Sequence, residues 1–105
     1  MGDVAESDWK LFRKRLPGWQ ESYMEKLVVE YMGIMNGDGL ASERFWELEK
    51  RVNEDKKRPG VMVSGVRRST MHYEIARLAL DGVIAPADLD GFTEDVKRYV
   101  QCHLE

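Results

Sequence analysis

The sequence predicts an all-α fold, an antiparallel bundle of four or five short helices in one domain spanning residues 1–105. Three observations predict it. Apolar residues recur at three- and four-residue spacing through most of the chain, the period of one helix face. Glycine and proline at 17–18, 37, 39, 59–60 and 82 cut that periodicity into segments. The composition, 43% apolar and 33% charged with only 3 Pro and 9 Gly, is that of a chain able to close one core.

Ser7 is placed to cap a first helix, in which Trp9, Phe12 and Leu16 form an apolar face and Arg13, Lys14 and Arg15 a basic one. Pro17 and Gly18 are expected to end or bend it, because proline supplies no backbone donor. From Trp19 a second helix carries Tyr23, Met24, Leu27, Val28, Tyr31, Ile34 and Met35 on one broad stripe, with Glu21, Glu25, Lys26 and Glu30 opposite. Asn36, Gly37, Asp38 and Gly39 end it. Ser42 is the expected cap of a third helix, which should bury Phe45, Leu48 and Val52 and set Glu47 against Arg51 and Lys50 against Glu54 on its outer surface.

Arg58, Pro59 and Gly60 close that helix. In 61–66, Val61, Met62 and Val63 suit a strand, a buried loop or an early helical turn, and Gly65 weakens each; an irregular start turning helical is expected. From Ser69 or Thr70 a helix turns Met71, Ile75, Leu78 and Ala79 inward and stops at Gly82. Val83 and Ile84 plug a tight connection, and Pro86 opens a short helical turn bearing Leu89 and Phe92. Thr93 caps the last helix. There Glu94 and Asp95 favour the positive end of the dipole, Arg98 can pair with Glu94, and Val96, Tyr99 and Val100 turn inward.

Length and composition also set exclusions. A chain of 105 residues buries roughly two thirds of the surface its unfolded form exposes, enough for one core. No charge-free stretch approaches the roughly 20 apolar residues of a spanning helix, so no membrane partner and no transporter is expected. The start of the chain, with Asp3 and Glu6 and no apolar block, does not read as a secretory signal; 1–6 are expected to form a disordered tail, and the cytoplasm is the expected location. The single Cys102 has no partner for an internal disulfide. Leu104 and Glu105 match the pair that commonly precedes an affinity tag.

Two resemblances rest on particular residues. Ile75, Leu78, Gly82, Val83, Ile84, Asp88 and Leu89 resemble a short helical hairpin found at the ends of many bacterial proteins, with Ala85 and Pro86 where that hairpin carries a hydroxyl and an acid. The match implies an oligomerising or docking element. More broadly, Leu16-Pro17-Gly18-Trp19, Phe45-Trp46 with Leu48, Pro59-Gly60-Val61, and Arg67-Arg68-Ser69 with Met71 resemble a family of short uncharacterised bacterial helical proteins. Such proteins are sometimes labelled multidrug transporters, a name the lack of any spanning stretch contradicts. This resemblance implies a fold and no activity.

A direct search for chemistry points away from an enzyme. His72 lies some thirty residues from Cys102 and His103, and adjacent helix residues point in different directions, so no metal site is expected. No elbow motif surrounds a serine. Gly60 and Gly65 lack the spacing and the lysine of a phosphate loop. The acid pairs Glu47 with Glu49 and Asp88 with Asp90 sit on polar stretches, as solvated acids do. No catalytic residue and no cofactor are expected.

Charge is distributed unevenly. Within a net charge of −3, residues 56–80 hold Lys56, Lys57, Arg58, Arg67, Arg68 and Arg77 against Glu74 alone, a local +5. Arg67 and Arg68 before a helix start would suit a phosphate, whereas on the other reading the same cations neutralise the acidic faces of neighbouring helices. The last two helices have the connection of a helix-turn-helix, but Thr93, Glu94 and Asp95 would meet DNA phosphates with the wrong sign. Trp46 falls one residue off the stripe of its helix, and Val29 and Met32 fall off the stripe of theirs, so these three mark an exposed apolar partner surface. The expected function is therefore binding of another protein or of a second copy. The alternative is nucleic acid or another polyanion held by Lys56, Lys57, Arg58, Arg67 and Arg68.

Overall fold

The computed structural model describes residues 4–63 and 65–104. They form four α-helices, α1 (Glu6–Met35), α2 (Ala41–Asp55), α3 (Met71–Leu80) and α4 (Glu94–Leu104). One-turn 3-10 segments stand at Arg68–Thr70 and Pro86–Leu89. No strand occurs among the described residues, and Val61 to Val63 take irregular backbone. Ser64 lies outside the described residues. No described helix is long and apolar enough to cross a membrane.

The all-α expectation holds, but one helix is not short. α1 runs unbroken for 30 residues through Pro17 and Gly18, where the sequence predicts an end or a bend. The missing Pro17 donor and its ring cost about 3 kcal/mol in a helix interior. Phe12 and Leu16, both buried, and half-buried Trp19 flank the proline on the core side, and burying such side chains contributes roughly 1.5–3 kcal/mol each. Pro17 itself is exposed, so its ring adds no clash with another element. Packing outweighs the local penalty.

The core is closed by the first half of α1, by α3 and by α4. Phe12 and Leu16 meet Met71, Ile75 and Leu78 of α3, Val96 and Val100 of α4, and Ile84, Leu89 and Phe92 of the connection. Gly82 ends α3 as predicted: at φ +75° it lets its own N–H reach the Ala79 carbonyl at 3.1 Å and the Val83 N–H reach Leu78 at 2.9 Å, the paired bonds of a Schellman cap. Arg15 then clamps the following turn, donating to the Asp88 and Asp90 carbonyls at 3.1 and 2.6 Å.

The helix starts differ from expectation. Ser7 and Ser42 lie inside α1 and α2, whose N-caps are Ala5 and Leu40. At α2 the orphan Leu40 N–H is met instead by Glu43 at 3.1 Å. Thr93 does precede α4, but its hydroxyl serves another helix: Asp8, 1% exposed, accepts from the Thr93 N–H at 2.9 Å and from the Thr93 hydroxyl at 2.6 Å. One buried carboxylate thus ties the start of α1 to the start of α4, where two positive dipole ends favour it. At the surface of α4, Arg98 lies 4.0 Å from Asp95 and Glu94 pairs with Lys97 at 3.7 Å, in place of the expected Arg98–Glu94 pair. Of the tail predicted over 1–6, residues 1–3 lie outside the described set, Val4 packs against the core and Glu6 opens α1. Leu104 belongs to α4, and Glu105 lies outside the described residues.

The second half of α1 leaves this core and packs mainly along α2, with Tyr23 near its root set against Gly60, an arrangement reflected in molecular extents of 54 × 25 × 24 Å. These two helices form a projecting antiparallel arm.

Candidate interaction surface on the arm

The arm is held together largely by polar contacts. Tyr31 donates to Asp55 at 2.7 Å; Asp55, with a side chain 3% exposed, also accepts from Arg51 at 3.3 Å and Arg58 at 3.2 Å. Arg51 reaches back to Glu30 of α1 at 2.7 Å, and Arg58 continues to Asp81 beyond α3 at 2.9 Å. Arg44 donates to the Met35 and Gly39 carbonyls at 2.6 and 3.0 Å, satisfying the end of α1. The expected Glu47–Arg51 pair is replaced by Arg51 bridging Glu30 and Asp55.

Burial and the hydrogen bond to Asp55 hold the Tyr31 phenol up at about 12, and burial beside Asp81 also raises Tyr23. Both are neutral phenols at neutral pH. The bond to Glu30 raises the Arg51 guanidinium further, and Tyr23 and Asp81 do the same for Arg58. A cleft of about 360 Å³ opens here, lined by Tyr23, Lys26, Glu30, Arg51, Asp55 and Arg58 among others. Its three cations, Lys26, Arg51 and Arg58, equal its three acids, Glu30, Asp55 and Asp81, in number, so it carries no net charge to draw in an ion, although one buried oxygen of Asp81 has no hydrogen-bond partner.

Because Arg44, Arg51 and Asp55 turn toward α1 together with half-buried Leu48, the other two residues of the apolar stripe of α2 do not. Phe45 is 62% exposed and Val52 is 40% exposed, correcting the expectation that α2 buries both. The same displacement affects α1. Leu27 is buried and Tyr31 and Ile34 are half-buried, whereas Val28, Met32 and Met35, each one residue on, are exposed. An advance of one residue turns a helix by about 100°, and on two antiparallel helices it turns both stripes to the same side of the pair. The opposite side is the polar one, a shallow cleft lined by Glu30, Gly33, Glu43 and Glu47. Val28, Met32, Met35, Phe45 and Val52 therefore share one face. Trp46, 63% exposed, meets Phe45 edge to face at 4.9 Å between ring centres, and Val29 is 62% exposed at the other edge.

The three residues singled out from sequence, Trp46, Val29 and Met32, all lie exposed on this arm. Sequence reasoning placed the other members of this face, Val28, Met35, Phe45 and Val52, on apolar stripes turned to the chain's own core, and it missed Asp55. The signal for Asp55 was its place in the last turn of α2, where the dipole disfavours an acid that lacks a cationic partner.

The basic residues do not assemble into one patch. Arg58 is engaged by Asp55 and Asp81, while Arg68 pairs with Glu6 at 2.7 Å and lies over the Trp9 ring. Gln20, bonded to the Pro59 carbonyl, and Glu6 mark where these two arginines meet α1, and fourteen residues of helix separate them by about 20 Å. Lys56, Lys57 and Arg67 are exposed. His72 and His103, far apart in sequence, both stack on Tyr99, at 5.4 and 4.3 Å between ring centres. An apolar groove of about 210 Å³ beside Ile84, Pro86 and Leu89 is below the size of usual ligand pockets.

No known family, curated protein or solved structure matches the chain in comparison.

Proposed function

We propose that this chain is a non-enzymatic, cytoplasmic docking protein that binds another protein through the apolar face of the α1–α2 arm. The observation that carries the reading is the side-by-side placement of Val28, Met32 and Met35 with Phe45 and Val52, all at least 40% exposed. Single exposed apolar residues are ordinary, but a contiguous face of this kind marks an interaction site on a folded protein. Aromatic and methionine side chains are enriched in the buried centres of interfaces, and Phe45, Trp46, Met32 and Met35 supply them here. Among the described residues of the arm, Leu27 is the one apolar residue that is buried, so a partner adds burial the isolated chain lacks.

A photo-crosslinking residue at Trp46, compared with the same residue at Glu47, tests the reading in cells. Glu47 lines the polar side of the arm. Adducts from position 46 and none from 47 are expected. Equal labelling from both, or none from either, would refute it.

A further inference from the structure

The arm's own geometry identifies an occupant for this face. Resting on the docking reading above, we infer that the partner is a second copy of this chain, its α2 lying antiparallel on α1 so that two arms close into a four-helix bundle.

Heights along the arm are fixed by observed contacts. Glu30 is level with Arg51 and Met35 with Arg44. A twofold axis parallel to the arm keeps heights and exchanges helices. It brings Val28 of one copy level with Val52 of the other, Met35 level with Phe45, and Glu25 level with Lys56. The apolar residues recur at 28, 32 and 35 on α1 and at 45 and 52 on α2, the four-and-three spacing by which antiparallel helices interlock.

Charge favours this pairing over its competitor. Glu25 and Lys56 are both exposed and lie at the root of the arm, so the twofold forms two reciprocal ion pairs there. An axis perpendicular to the arm would instead lay α2 on α2 and bring the two copies of Glu49 together near the axis. In the favoured arrangement Glu49, bonded to Asn53 of its own helix, lies level with Met32 of the second copy.

Area supports the same conclusion. The exposed fractions of Val28, Met32, Met35, Phe45 and Val52 leave on the order of 500 Å² of apolar surface. One side of a standard interface buries about 800 Å², of which about 60% is apolar. The face has the area of one complete side of a dimer.

Sedimentation equilibrium of the full chain tests the inference, with E25K, K56E and the double exchange E25K/K56E. The wild type is expected to dimerise in the micromolar range. Each single reversal turns two attractive rim contacts into repulsive ones and should raise the dimer dissociation constant about tenfold, and the double exchange should return it to within about twofold of wild type. A monomeric wild type throughout the micromolar range overturns the inference, and so does a dimer on which the double exchange gives no rescue. A monomer whose position-46 crosslinker still captures a different chain overturns the second copy alone and leaves the docking reading standing. Absence of both dimer and adduct overturns the two together.

Discussion

Replacing Asp8 by alanine should destabilise the chain more than any other single change at a charged residue of α1. Asp8 is buried and accepts two hydrogen bonds from Thr93, one from the backbone N–H and one from the hydroxyl. Hydrogen bonds to a charged group contribute about 1.5–3 kcal/mol each, and the alanine would leave the half-buried Thr93 N–H without its acceptor. Offsetting part of this is the desolvation cost that the carboxylate no longer bears, so a net loss of about 3 kcal/mol is expected. At this length each kcal/mol lowers Tm by roughly 4–8 °C, which places the variant some 15 °C below wild type. Urea unfolding gives the free energy directly. Thr93→Val, which keeps the N–H bond, should lose about half as much, and a double-mutant cycle should show strong coupling between the two positions. Glu6→Ala is the control: its pair with Arg68 is half-exposed on both sides and should be worth less than about 1 kcal/mol. A loss at Asp8 no larger than that at Glu6 would show that the bridge between helix starts does not hold the fold together.

Other outcomes follow from the root of the arm. Tyr31 should titrate at about 12 rather than near 10, visible as phenolate absorbance that disappears in Tyr31→Phe. Between those pH values the folded chain holds the proton that the unfolded chain has released, so stability should fall as pH rises through this window and should show no Tyr31 dependence below it. Asp55→Ala strips one acceptor from Tyr31, Arg51 and Arg58 and should cost about 3 kcal/mol in urea unfolding, while moving the Tyr31 titration downward. A Cβ at Gly60 would stand 2.2 Å from the Tyr23 ring, so Gly60→Ala should cost roughly 1–3 kcal/mol by thermal melt, and a Tyr23→Ser background should remove most of that penalty.

The parts of this structure legible in the sequence are those governed by local chemistry. Gly82 ends α3 because only a residue tolerant of positive φ completes that cap, and Pro86 opens a turn because its fixed φ suits the position. Pro17 misled for the converse reason: its local penalty is real, but long-range packing of Phe12, Leu16 and Trp19 overrides it, and packing partners are not visible from a neighbourhood of four residues. Asp8 is similar, since an acid in a first turn reads as a dipole effect and its partner lies 85 residues away. The error over Phe45 and Val52 is of another kind. Phe45 and Val52 do recur on one helix face, but that apolar stripe does not face its own chain. Arg44, Arg51 and Asp55 took the intramolecular side because Tyr31, Glu30 and a helix end offered them partners there.

The unbroken course of α1 has a mechanical consequence. A single rod belongs at one end to the core and at the other to the projecting arm, so a pull on its tip has no hinge loop in which to dissipate. Its weakest joint is at Pro17, where the Arg13 carbonyl lacks its helical donor, and that joint is gripped by Phe12, Leu16 and Trp19. Force or ordering imposed far out on the rod is thereby delivered to the best-packed region of the molecule.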